Sequence, residues 1–342
     1  MFFFIVISLK AQSPCEKKLD DAENYFTEGN LYIIPSLLED CLEKGFSKQE
    51  KIDALRLLTL TYLYLNKDEY AEDAFQKLLT IDPTHQVTPG IDPDQLVYLY
   101  QSFKTDPVYY IGVLLGTNYS IPEATIVQKP HAVSNINFSG ASGFMAGLNF
   151  SYPLTMKWTF VAEPIFSIRS FSVDVNNIKA ISLETNRLDI FNYPQSWQED
   201  YTRIMLPLSM TYNISLGIFR PFVQIGVAPS YLVSAHLRDF FWPTDNPAEP
   251  RVFDDINIRD YSRKFDLQLL GGFGISYQNK ANLLSLHVNY YHTLESTKNT
   301  FIDDRYNEIL DNTAIPQTIV DINAITINFM YRRAFFDFEK IK

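Results

Sequence analysis

The sequence predicts an α + β multidomain chain, in which N-terminal α-helical hairpins precede an eight-stranded antiparallel transmembrane β-barrel. Three observations predict it. Helical periodicity is confined to the region before residue 106, a two-residue alternation recurs in eight later segments, and the links between those segments alternate between short and long.

Residues 1–13 read as a secretory signal. "MFFFIVISLKAQSPC" has a short apolar run ending at Leu9 and small residues from Ala11 to Ser13. The basic start of such a signal is missing, so the signal is read as truncated or as beginning upstream. "QSP" before Cys15 is not the small apolar stretch that lipidation requires.

Residues 15–105 form the expected helical domain. "ALRLLTLTYLYLNKDEYAEDAFQKLLTIDP" (54–83) resembles a tetratricopeptide repeat, a helical hairpin of about 34 residues. Its packing positions fall on Leu55, Leu58, Thr59, Tyr62, Ala71, Phe75 and Leu78, with Pro83 closing it. Ser47 and Glu50 have the spacing of a capping box. A weaker repeat starting at Cys15 places Ala22, Tyr25, Ile34, Leu38 and Cys41 at matching positions. In that assignment Cys15 opens the first helix and Cys41 nears the end of the second. A Cys15–Cys41 disulfide is then expected in an oxidising compartment, the alternative being two buried thiols. "DPDQLVYLYQSFKT" (92–105) reads as a capping helix with Asp92 as N-cap and Pro93 at its first position.

Residues 106–338 carry the strands. In "RPFVQIGVAPSYLV" (220–233), Pro221, Val223, Ile225, Val227, Pro229, Tyr231 and Val233 alternate with Phe222, Gln224, Gly226, Ala228, Ser230 and Leu232. One face is greasy and the other mostly small or polar, as expected for a strand between lipid and a polar interior. The pattern recurs in segments beginning near residues 108, 143, 158, 203, 265, 283 and 323. Short links are expected at 153–157, 214–219 and 278–282, and long outer ones at 121–140, 172–201, 235–263 and 295–319. A soluble barrel would place its bulky apolar residues inward; here the small residues occupy the face with least room. The lipid-facing prolines have no account at this level, since each lacks a ladder donor.

Glu163, Arg169, Arg203, Gln224, Asp266, Gln268, His287 and Asn289 are expected in the barrel interior, as a polar filling rather than an ion path. Tyr119, Tyr152, Trp158, Tyr212, Tyr231, Tyr277 and Tyr331 fall near strand ends, where aromatic girdles form. No enzyme activity is expected: Ser285 and His287 share the interior face, and His131 and Ser134 match no catalytic arrangement. Neither a metal site nor a cofactor is expected, because the acidic pairs Asp254/Asp255 and Asp303/Asp304 lack a ligand spacing. Residues 15–106 hold 18 Asp and Glu against 9 Lys and Arg, which disfavours nucleic acid.

With the repeat "AEDAF-KLL-IDP", the junction "SFKTDPVYYIG" and phrases such as "AEPIFSIRS" and "RIMLPLSMTYN", the chain resembles Bacteroidota envelope proteins. In these a short periplasmic tetratricopeptide module precedes a small outer-membrane barrel. The resemblance implies an integral outer-membrane protein with its helices in the periplasm and long loops at the cell surface. It further implies an accessory subunit of an envelope machine, such as type IX secretion or barrel assembly. The expected partners are outer-membrane lipid, a periplasmic protein, and a neighbouring barrel or lipoprotein. Phe240, Phe241 and Trp242 in "DFFWP" (239–243) are an expected outer-loop contact or part of an aromatic belt. The alternatives are a surface-binding or adhesion barrel, and a lipid-modifying enzyme.

Overall fold

The computed structural model describes residues 13–128, 133–181, 188–191, 195–214, 218–242, 251–294 and 317–340. These divide into two units: the helices up to Pro107 with the chain from Phe336 onward, and Val108–Phe335.

Five α-helices are seen among the described residues, and two of them open in the same way. α1 (Pro14–Thr27) begins with a capping box that the sequence reading missed: Glu16 N–H donates to Ser13 Oγ at 3.0 Å, and Ser13 N–H donates to Glu16 Oε2 at 3.2 Å. A 3₁₀ turn leads into α2 (Ile34–Glu43). In α3 (Lys48–Tyr64) the expected Ser47/Glu50 box is present, and the Ser47 N–H holds the exposed Glu50 carboxyl below its ordinary pKa. α4 (Asp68–Ile81) and α5 (Asp94–Gln101) follow. α5 starts one residue later than expected. Pro93 is its N-cap, because the Asp92 carboxylate is engaged elsewhere, accepting from Thr88 N–H at 2.8 Å and from Arg56 at 2.6 Å.

The second unit is one antiparallel sheet of thirteen described strands. They are β1 (Tyr109–Gln128), β2 (Val133–Gly140), β3 (Ser142–Pro153), β4 (Trp158–Ala162), β5 (Ile165–Ile181), β6 (Leu188–Phe191) and β7 (Gln195–Met205). β8 (Leu208–Asn213), β9 (Phe219–Trp242), β10 (Arg251–Asn257), β11 (Phe265–Asn279), β12 (Asn282–Thr293) and β13 (Gln317–Phe335) complete it. The last strand pairs with the first from Tyr109↔Phe335 to Gln128↔Gln317.

Each of the eight expected segments lies on a strand or on a pair of successive strands. The expected long links are shorter than the sequence suggests. β1, β5 and β9 run into them, β2, β6, β7 and β10 pair within them, and β13 begins in the last. Backbone ladders need only peptide groups, so pairing continues where the alternation reverses its sense: in β5, Phe171 and Val173 are buried while Ser172 and Asp174 are half-buried.

The faces follow the alternation. Ile111, Val113 and Leu115 are exposed while Leu114, Asn118 and Ser120 are buried, and Ile225 is 71% exposed beside buried Gln224. A soluble chain would not expose so continuous an apolar surface. On the buried side, room is made by omission: a Cβ on Gly226 would collide with the Leu208 carbonyl and with Ser209.

The prolines form a row. Leu148 N–H donates to the Pro164 carbonyl (3.0 Å), Glu163 N–H to that of Pro207 (2.9 Å), and Leu206 N–H to that of Pro229 (2.9 Å). Pro164 and Pro207 separate β4 from β5 and β7 from β8. The sheet therefore loses donors at the prolines but keeps their acceptors in use.

Candidate functional site

The buried face of the sheet is layered. All eight interior polar residues named from the sequence are buried. Between them lies one apolar cluster of Leu114, Met145, Ile165, Met205, Ala228, Leu270, Tyr291 and Met330, one residue from each of β1, β3, β5, β7, β9, β11, β12 and β13. Along each strand that carries both kinds of residue, the named polar residues lie to one side of the cluster member. Glu163, Gln224, His287 and Asn289 lie toward the end where β1 begins; Arg169, Arg203, Asp266 and Gln268 lie toward the other.

The two polar groups make separate contacts. In the first, Asn149 donates to Glu163 at 2.9 Å and Gln224 to Asn289 at 2.9 Å. His287 meets the Phe222 ring edge-on at 5.0 Å, and Ser285 accepts from Arg332 at 2.7 Å. In the second, Gln268 donates to Asp266 (2.8 Å), Arg203 to Ser230 (3.2 Å) and Arg169 to the Ile322 carbonyl (3.3 Å), with Arg169 over the Tyr291 ring. Further along, a second apolar cluster around Phe171, Trp197, Tyr201 and Leu232 closes the stack. Arg332, which bonds Ser151, Ser276 and Ser285, was not singled out in the sequence. Its parity with Asn328 and Met330 was the available signal.

In the helical unit, Leu55, Leu58, Ala71, Phe75 and Leu78 are buried, and Tyr62 and Pro83 are half-buried. Cys15 and Cys41 form a disulfide, with Cα atoms 5.6 Å apart. Across α2, α3 and α4 runs a groove of about 840 Å³ whose floor includes Leu55, Leu58 and Tyr62.

The unit is completed by the far end of the chain. Although the strand-rich region was expected to run to residue 338, β13 ends at Phe335, and Phe338 is buried in the cluster containing Phe75, Leu78 and Phe103. Lys104 N–H donates to the Glu339 carbonyl at 3.0 Å, and Lys340 pairs with Glu72 at 2.5 Å.

Phe240, Phe241 and Trp242 end β9 in backbone register with β10, as strand rather than loop. Their side chains lie outside the described residues, as do those of His131, Ser134 and Asp254, and Asp303 and Asp304 entirely. Asp255 Oδ1 accepts from the ring N–H at His236 Nδ1 across β9 and β10 at 2.7 Å.

No curated protein matches the chain. OprG of Pseudomonas aeruginosa is 14% identical over 68% of this chain and 98% of its own, with a TM-score of 0.39. Neisserial surface protein A is 11% identical, covering 66% of this chain and 97% of its own, at 0.34. The outer membrane protease OmpT from Escherichia coli is 11% identical, covering 68% and 98%, at 0.33. Residues 100–299, more than half of the chain, match the family model described as outer membrane protein beta-barrel domain. The alternating strands, the greasy exposed face and this match together make the chain a member of the outer membrane β-barrel protein family, integral to that membrane.

Proposed function

We propose that the protein is an outer-membrane anchor whose helical unit, a tetratricopeptide-like module on the periplasmic side, binds a protein partner in an envelope machine. In this reading the sheet closes as an eight-stranded barrel, and type IX secretion or barrel assembly is the machine. The register of β1 with β13 supports closure. The observation that carries the role is the filled interior. One apolar side chain from each of eight strands meets in a single cluster, a filling that supports a fixture rather than a pore. The helical unit, by contrast, offers an open concave surface.

The test is mild-detergent affinity purification of the tagged full-length protein from native outer membranes. A second sample lacks residues 15–105 together with those after Phe335, since Phe338 would otherwise lose its cover. Partners that co-purify stoichiometrically and vanish with the truncation are expected. An unaccompanied barrel in both samples would sink the scaffold reading.

A further inference from the structure

We infer that the groove across α2, α3 and α4 binds an extended segment of a partner protein that carries arginine or lysine side chains. The inference rests on the scaffold reading and names the chemistry of its partner.

The charges on the two sides of the groove are differently committed. On α4, Lys77 is held by Asp73 at 2.7 Å, and Lys67 stands over the Tyr70 ring, 5.9 Å from its centre. On α2, Glu39 and Glu43 sit one helical turn apart and line the groove, with no ion pair for either among the described residues. Lys51 also lines the groove, so the negative character belongs to the α2 side and not to the whole groove. Tyr32 and Tyr70, both lining residues, are 79% and 59% exposed.

Unpaired carboxylates and the open ring of Tyr32, lining one groove, form a receptor for a guanidinium or ammonium group, which can pair with the first and stack on the second. The net charge of −9 over residues 15–106 adds a longer-range attraction for a cationic partner. Size favours an extended ligand. The 14 residues of α4 span about 21 Å, the length of about six residues of strand. An extended segment of that length presents alternate side chains to the α2 and α4 sides of the groove.

The experiment uses the full chain in detergent and a fluorescein-labelled octapeptide of alternating Arg and Ala, with Glu and Gln counterparts, followed by anisotropy. The Arg peptide is expected to bind at least tenfold more tightly than either counterpart. Glu39→Gln with Glu43→Gln is expected to weaken it at least tenfold, and Tyr32→Ala to weaken it further. Glu23→Gln with Asp94→Asn removes two charges outside the groove and is expected to leave binding within twofold. All of these side chains are exposed, so an unchanged circular dichroism spectrum checks the fold.

Equal affinity for the Arg and Gln peptides, or indifference to the Glu39/Glu43 pair, would overturn the inference. Partners that still co-purify with the Glu39→Gln/Glu43→Gln protein would do so too, while leaving the scaffold reading intact. Selective Arg-peptide binding by a protein that purifies without partners would have the reverse meaning.

Discussion

The side-chain amide of Gln76 donates to the main-chain carbonyl of Phe338 at 3.2 Å, across 262 residues of sequence. A helix near the start of the chain is thus completed by residues beyond the last strand. Phe338→Ala should destabilise the helical unit by about 3 kcal/mol, the cost of emptying a buried phenylalanine site. Thermal unfolding followed at 222 nm would show this as a lowered helical midpoint, and an unchanged midpoint would mean that the tail is incidental.

The Cys15–Cys41 bridge closes a separation of 26 residues and joins the two helices of the first hairpin. Loop-closure entropy alone makes it worth about 3 kcal/mol. Reduction, or Cys15→Ala with Cys41→Ala, should therefore lower the helical midpoint. The expected contrast is a sheet signal that does not move, because the bridge lies wholly within the helical unit.

The helical unit should lose stability in acid through two groups. Burial holds the His85 pKa below its ordinary value. The unfolded chain then binds the proton more readily, and stability falls as pH drops below about 6.5. The Thr88 N–H, with Arg56, holds the Asp92 carboxyl below its ordinary range. Its contribution is present above about pH 4 and is lost as pH falls through its lower folded value. His85→Gln should flatten the first fall and Asp92→Asn the second. Midpoints measured from pH 7.5 to 3 would test both, and identical profiles for wild type and variants would refute the assignment.

Ile225 stands 71% exposed in the middle of the apolar face of β9. In water, arginine there would be harmless; facing hydrocarbon near the bilayer centre it should cost about 2–4 kcal/mol. Ile225→Arg should therefore reduce folding into lipid vesicles, read as loss of the heat-modifiable folded band on a gel. The same substitution at exposed Thr80, on the helical unit, should leave that band unchanged.

The strands were legible because alternation is a local property. Ile111, Val113 and Leu115 announce an exposed face without reference to any other strand, and Ser47 with Glu50 announces a helix start within four residues. The start of α5 was less legible, because Asp92 is drawn to Arg56, 36 residues away. The outer reaches of the sheet are less legible because their alternation reverses its sense: Phe171 and Val173 are apolar and buried, where the lower strands bury small or polar residues.

By itself, then, the sequence determined which segments are helix or strand, which face of each is greasy, and that two cysteines could meet. Tertiary structure alone decided that Leu114, Met145, Tyr291 and Met330 share one layer, that each proline carbonyl in the row finds a donor, and that Phe338 belongs with the helices. The physical reason is stagger. A period of two or of 3.6 residues is written in each segment, but the offset between neighbouring strands, and the place where a tail comes to rest, depend on contacts among segments far apart in the chain.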